Sequence, residues 1–236
     1  MRIGFITDIH SNKYALEEIL KDTKKRNLDK IFCMGDLVGY GPFPNEVINK
    51  IKEEKIPTIQ GNYDQSVGEE LMACGCDYKD QKVMEMGVKS LYWTQENTSD
   101  ENKKWLRELP KEMDVEVEEN KIKLVHGSPR RNNEYLYEDA DVLEEVTEKA
   151  DFNILVCGHT HKPYGKYVNN VFVVNAGSVG KPKHGNPNGT YVILDIKDDI
   201  HMEIVEVEYD YEKMAKAIEE SEIPSAFAEK IRKGIS

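Results

Sequence analysis

Short continuous apolar runs punctuate the first half of the chain and are separated by stretches whose apolar residues recur every three or four positions. Residues 2–7 read as a buried strand. Asn12 to about Arg26 read as an amphipathic helix, with Ala15, Leu16, Ile19 and Leu20 on one face and lysines opposite. A strand at 30–34 follows, then the glycine-rich GDLVGYGP, a helix near 44–54 carrying Val47, Ile48 and Ile51 on one face, and a third strand near 57–60. This β-α-β-α-β series predicts parallel strands joined by right-handed crossovers.

From 63 to 109 the pattern is mostly helical, with Val83, Met84, Val88 and Leu91 as the candidate buried stripe. Ser99 or Asp100 caps a short helix that ends before Pro110. The second half is strand-rich: 113–118 and 121–125 flank a hairpin signal at Glu119-Asn120. Residues 164–168, 171–174, 190–196 and 201–207 read as a meander with a two-residue turn at Asn169-Asn170. Parallel pairing early and antiparallel pairing late predict two sheets packed face to face with helices outside. No low-complexity linker or repeat divides residues 1–236, which are expected to form one domain with a helical tail at about 211–236. The tail breaks at Pro224 and turns Met214, Ala217, Ile218, Phe227, Ala228 and Ile231 inward, a pattern that suits either docking on its own core or an arm in a homo-oligomer.

Charge and composition narrow the partners. Lysine and arginine number 32 against 44 acidic residues, a net charge of −12, and the acids are dispersed. No basic stripe tracks a phosphate backbone, so long nucleic acid is not an expected partner. The chain opens MRIGFITD, directly into a strand pattern, without a leader-like segment or a run of about 18 apolar residues. The expectation is a cytoplasmic protein with no membrane partner. Of the four cysteines, Cys33 and Cys157 sit in apolar strand runs as small core residues, and Cys74-Gly75-Cys76 lacks the two-residue spacer of redox and zinc motifs.

The candidate chemistry lies where the apolar runs end: GFITDIH, KIFCMGD, PTIQGNYD, IKLVHGSP, NILVCGHTH and VFVVNAGS. Open α/β sheets present functional groups at the carboxyl ends of their strands, so these ends describe one cleft. Asp8 and His10, two residues apart, would share a strand face, and Gly35 would let the backbone turn sharply and aim Asp36 inward. Asn62, His126 and the pair His159 and His161 complete the set. Two Asp, one Asn and four His exceed the needs of one tetrahedral ion and suit two five- or six-coordinate divalent ions sharing a carboxylate. Two ions about 3.5–4 Å apart are the arrangement that clamps attacking and leaving oxygens in phosphoryl transfer.

The order D-x-H, GD, GN-x-D, HG, G-H-T-H, N-A-G-S resembles that of the calcineurin-like metallophosphoesterases, and among them the small prokaryotic YfcE-type group, some of whose members are labelled diadenosine tetraphosphatase-like. The resemblance implies an α/β fold, a four-layer α-β-β-α sandwich of two packed mixed β-sheets flanked by helices. It implies one ion held by Asp8, His10, Asp36 and His161, and a second held by Asp36, Asn62, His126 and His159. A hydroxide between the ions would attack phosphorus in line. Manganese is the expected metal, with Ni²⁺, Fe²⁺/Fe³⁺, Zn²⁺ or Mg²⁺ as alternatives.

One position departs from the family pattern. Many members carry a histidine after the GN of the third motif, where this chain has Tyr63. A phenol, with an ordinary pKa of about 10, can donate a hydrogen bond but brings no positive charge. With Asp36, Asn62 and Tyr63 as the catalytic positions, the expected activity is hydrolysis of a phosphodiester or phosphoanhydride in a small, nucleotide-like phosphorylated substrate. A phosphomonoesterase or protein phosphatase on the same site is the alternative enzyme, and a metal-binding scaffold of little activity the alternative of another class. A scaffold, however, has no chemical reason to keep the whole ligand set. Substrate contacts are expected from Gly39, Tyr40, Lys181, Lys183 and His184 in the glycine-rich segments, and from Arg130 after HGSP.

Overall fold

The structure is a computed structural model that describes residues 1–77 and 80–236. β1 (Arg2–Ile6), α1 (Lys13–Lys25), β2 (Lys30–Cys33) and α2 (Pro44–Glu53) open the chain, followed by α3 (Asn62–Gly68), α4 (Gln81–Asn97) and α5 (Asp100–Glu108). The hairpin β3 (Glu112–Val117) and β4 (Asn120–Val125) leads to α6 (Val142–Thr147) and β5 (Ile154–Cys157). β6 (Tyr164–Val168), β7 (Val171–Asn175), β8 (Gly189–Ile196), β9 (Ile200–Val207), α7 (Tyr211–Glu219) and α8 (Ala226–Lys233) complete the order.

The strands form two mixed sheets, β2-β1-β8-β9 and β3-β4-β5-β7-β6. In the first, β1 pairs parallel with β2 and antiparallel with β8. In the second, β5 lies parallel between β4 and β7, and antiparallel β3 and β6 form the edges. The central strands are apolar throughout because both faces are covered. Ile154 and Val156 of β5 join Phe172 and Val174 of β7, Val192 and Leu194 of β8, and Ile3 and Phe5 of β1 in the layer between the sheets. The alternate residues face outward: Tyr191 and Ile193 belong to the apolar cluster that includes the buried faces of α1 and α2, and Leu155 and Val173 cluster with Leu143 of α6. Two mixed sheets flanked by helices are therefore the observed architecture, as the family resemblance implies.

Several local expectations need correction. The late strands are not one meander: the β6–β7 hairpin joins the second sheet and the β8–β9 hairpin the first. A period of two reports that a strand has two unlike faces, not which sheet takes it. The early half is also less purely parallel than its sequence suggests, because β1 borders antiparallel β8. The 57–60 run makes a single parallel bridge, Cys33 to Thr58, since Pro57 has no N–H to donate to a ladder. The first hairpin turns at 118–119, one residue earlier than expected, with Val117 opposite Asn120. In α4 the buried face is Gly87, Ser90, Leu91, Thr94 and Gln95, and Met84 is exposed. That face is small and polar because it serves backbone groups: Ser90 Oγ accepts from Tyr40 N at 3.0 Å, and Gln95 Nε2 donates to Ser66 O at 3.0 Å.

The tail docks on its own chain. Met214, Ala215 and Ile218 of α7 and Phe227, Ala228 and Ile231 of α8 belong to the same apolar cluster as Leu16 and Ile19 of α1, with Ala215 in the place expected for Ala217. Gly234 ends α8 in the left-handed conformation (φ 60°), and its carbonyl accepts from Gly185 N at 2.9 Å, tying the tail to the β7–β8 connection. Phe227→Ala is expected to cost about 3–5 kcal/mol, as truncation of a buried phenylalanine does. Denaturant unfolding of the full chain measures this, and a loss below about 1 kcal/mol would separate the tail from the cooperative unit.

Candidate metal centre

The site forms where both sheets end on the same side. β1 stops at Ile6 and β5 at Cys157, so the predicted ligands that follow lie in loops beyond the strands. Asp8 and His10 therefore do not converge by sharing a strand face. They converge because the backbone is left-handed at Asp8 (φ 52°) and His10 (φ 49°), and likewise at Asp36 (53°), His159 (65°) and His161 (60°). L-residues in this region carry strain of roughly 1–2 kcal/mol each, and Asp and His are among those that tolerate it best.

Neighbouring loops hold this geometry. Asp8 N donates to Gly35 O at 3.0 Å, and Ile9 N and His10 N both donate to Asp36 O, at 2.8 and 3.0 Å. Gly35 has φ +90°, and a Cβ there would lie 2.4 Å from Gly61 N, so the second and third motifs can touch only with glycine at this point. A Cβ on Gly158 would lie 2.7 Å from Asp8 Oδ2, which accepts from His159 N at 2.9 Å. The motif glycines thus bring loops from both sheets into contact.

All seven predicted ligands meet in this place, and all are buried. One group is Asp8, His10 and His161, and another is Asp36, His126 and His159; within each, one ligand atom per residue lies within 4.8 Å of the others. Asp36 Oδ2 lies 3.4 Å from His126 Nε2 and 3.8 Å from His10 Nε2, so this carboxylate reaches both groups. Asn62 Oδ1 lies 3.1 Å from His126 Nε2, while its amide nitrogen is occupied by Cys74 O at 3.0 Å, leaving the oxygen to face the centre. Three imidazoles are oriented from behind through Nδ1: His10 by Val38 O at 3.0 Å, His126 by Met34 O at 2.8 Å and His161 by Lys181 O at 2.5 Å. Such bonds fix the tautomer that presents Nε2.

The electrostatics suit cations. Burial alone would push the His126 imidazole down, but ionised Asp36 beside it raises it to about 10. Burial likewise opposes ionisation of Asp36, and the His126 charge holds its carboxyl below the usual range. Burial and then the His126 charge push His159 down to about 3, leaving it a neutral donor. Asp64 is a different kind of carboxylate. Burial and Asp36 raise it to about 7, and it accepts from Gly61 N at 3.0 Å and Leu37 N at 2.9 Å, bracing the loops behind the ligands. Asp8 Oδ1 faces His161 Nε2 at 3.0 Å and His10 Nε2 at 3.5 Å, and His159 Nε2 is buried with no hydrogen-bond partner among the described residues. Buried polar atoms are normally paired, and an orphaned imidazole nitrogen beside a carboxylate oxygen that faces two ring nitrogens fits a bound divalent ion.

The remaining predicted site residues divide. Tyr40, Lys181 and Lys183 line a 480 Å³ cavity beside the ligands. Gly39 instead lies behind the cleft wall, where a Cβ would meet the Tyr63 ring at 2.3 Å. Tyr63 itself is 1% exposed, its ring against those of Tyr40 and His10 and its amide bonded to Asp36 Oδ1 at 2.8 Å. Arg130 turns away to Glu134 and Glu145, 2.8 Å from each, and His184 is half-buried outside the cavity lining. Cys33 and Cys157 are buried core residues, as expected. Cys74 and Cys76 lie beside Asn62, whose amide nitrogen is 3.4 Å from Cys76 Sγ. Sequence reasoning missed Tyr135, whose ring lies 4.0 Å from that of His159, and Lys230 of the tail, which lines the same cavity. Neither stands in a motif, so no local signal marks it.

No helix among the described residues is long and apolar enough to cross a membrane. The model of the calcineurin-like phosphoesterase superfamily domain matches residues 1–199. An uncharacterised protein of Methanocaldococcus jannaschii is 33% identical over 97% of this chain and 96% of its own. Phosphodiesterase YfcE of Escherichia coli is 25% identical over 83% of this chain and 88% of its own. The crystal structure of a metallophosphoesterase from Sphaerobacter thermophilus superposes with a TM-score of 0.81 at 27% identity, covering 100% of this chain and 99% of the other. The buried carboxylate–imidazole cluster and this family match agree: the chain belongs to the calcineurin-like phosphoesterase superfamily and is a metal-dependent phosphoesterase.

Proposed function

We propose that the protein is a dinuclear phosphodiesterase that hydrolyses a diester or phosphoanhydride bond in a small, nucleotide-like substrate. The observation that carries this reading is the position of Asp36 Oδ2, in reach of His10 in one group and His126 in the other. The first ion would be held by Asp8, His10, Asp36 and His161, and the second by Asp36, Asn62, His126 and His159. Two divalent ions, when bound, supply an acidified water and positive charge for the oxygens on phosphorus. The imidazole-rich donor set favours a transition metal such as Mn²⁺ over Mg²⁺.

The chain's own part is placement. Backbone carbonyls fix three imidazoles, Thr7 Oγ1 and His159 N hold Asp8 Oδ2, and the amide of Tyr63 holds Asp36 Oδ1. The site is thus organised before substrate arrives, which is where electrostatic catalysis gains most. Hydrolysis adds water across the P–O bond, its hydroxyl to phosphorus and a proton to the departing oxygen. Tyr63 is buried and acts as a positioning residue behind Asp36 and His10. Its place in the family pattern holds no imidazolium, so leaving groups that need little protonation suit this site better than alkyl monoesters.

Purified protein with Mn²⁺ is expected to hydrolyse bis-p-nitrophenyl phosphate faster than p-nitrophenyl phosphate, and Asp36→Asn to lower kcat/KM by more than ~100-fold, beyond the usual effect of an outer-shell change. Faster monoester turnover would overturn the diester preference. Mn²⁺ at a hundred times its Kd is expected to stabilise the fold by about 2.7 kcal/mol per independent site, a rise of roughly 5–11 °C in Tm that chelator reverses. An unchanged Tm would count against the ligand assignment whatever the activity. Tyr63→Phe keeps the ring and is expected to retain kcat within about threefold, whereas a loss of ~100-fold would identify the phenol as a proton donor.

A further inference from the structure

The cavity beside the ligands has two unlike walls. On one, Tyr137 and Tyr135 stack with centroids 5.5 Å apart and planes 5° from parallel, and Tyr135 continues onto His159 at 4.0 Å. Tyr137 is 44% exposed, so the ladder runs from solvent to a ligand of the centre. On the other wall are Lys181, Lys183 and Lys230. Lys181 is only 6% exposed, its ammonium 4.5 Å above the Tyr40 ring, and among the described residues none of the three lysines makes an ion pair. Asp77 and Asp80 also line the cavity, but both are exposed, and Asp80 Oδ1 is taken by the amides that begin α4. The amine groups of this cavity are therefore buried more deeply than its carboxylates.

Burial disfavours the charged form of an amine, and an anion bound over these lysines would offset that cost. Lys181 and Lys183 are joined to the metal centre through backbone: the Lys181 carbonyl receives His161 Nδ1 at 2.5 Å, and Lys183 N donates to His161 O at 3.3 Å. An anion over these lysines would thus lie next to a phosphate at the ligands. A flat ring on Tyr137 would extend the stack already formed with Tyr135, and a volume of 480 Å³ is within the range of small-ligand sites.

We propose that this cavity binds a nucleotide carrying at least two linked phosphates, one at the ligand cluster, the next over Lys181 and Lys183, and the base on Tyr137. The assignment rests on the phosphoesterase reading and names its substrate class. Lys230 comes from α8, so the docked tail supplies part of the specificity.

The test is equilibrium binding to the Mn²⁺-loaded full chain, by calorimetry, of α,β-methylene adenosine diphosphate, AMP and methylenediphosphonate. The diphosphate nucleotide is expected to bind at least tenfold tighter than either of the others. Tyr137→Ala should weaken the nucleotide at least ~5-fold, as removal of a stacking partner does, and leave methylenediphosphonate unchanged. Lys230→Ala should weaken both. Equal affinity for the nucleotide and methylenediphosphonate would overturn the base platform. Equal affinity for the nucleotide and AMP, or no change in either variant, would overturn the polyphosphate site. Loss of bis-p-nitrophenyl phosphate turnover with every metal would instead sink the phosphoesterase reading, and the binding results would stand apart from it.

Discussion

Two ionised carboxylates lie buried at the ends of the strands, and the surrounding structure answers to them. Asp8 and Asp36 are at most 1% exposed, and burial on that scale is tolerable only with compensating positive charge and hydrogen bonds. Backbone amides supply part: His159 N to Asp8 and Tyr63 N to Asp36. The imidazoles supply part, with His126 raised to about 10 by its carboxylate neighbour. His159 Nε2, orphaned among the described residues, marks what protein groups leave unsatisfied, and a divalent ion fits that remainder.

Bringing these groups together requires backbone that the strands cannot provide. Five of the predicted ligands stand at positive φ, and the strain is held by hydrogen bonds between the loops that follow β1 and β2 and by the β7–β8 connection, where Gly180 N donates to Asp8 O at 3.0 Å. Gly35 and Gly158 permit the close approach; neither has a side chain to offer as a ligand, yet a side chain at either would push the loops apart. The packed layer between the sheets fixes where those loops start, so core and centre form one mechanical unit. The same economy explains Tyr63. Its amide serves Asp36 while its ring fills the space under Gly39, so the residue is buried among the loops it braces.

The surroundings of the centre bear on selectivity. Residues from four separate segments, Tyr40, Tyr135 with Tyr137, Lys181 with Lys183, and Lys230, line one cavity beside the ligands. Aromatic faces and lysines without an ion pair among the described residues are complementary to the two halves of a nucleotide. Arg130, by contrast, is committed to Glu134 and Glu145, which shows why a basic residue near a motif is weak grounds for a substrate contact.

The candidate site was legible in the sequence because ligation demands particular atoms. Asp8, His10, Asp36, Asn62, His126, His159 and His161 each follow an apolar run, and strand ends on one edge of an α/β layer must be neighbours. The buried faces of α1 and α2 were equally plain from their spacing. What the sequence left open was everything that depends on distant segments meeting. Hairpin periodicity does not say which sheet a hairpin joins, so β6–β7 and β8–β9 were separable only in three dimensions. The polar buried face of α4 reads as surface until Tyr40 and Ser66 arrive to bond it. The convergence of Asp8 and His10 depends on left-handed φ angles imposed by neighbouring loops, and the cavity on a tail that could equally have reached another chain. Local pattern records which atoms a residue can offer and which face it must bury; only packing decides what those atoms meet.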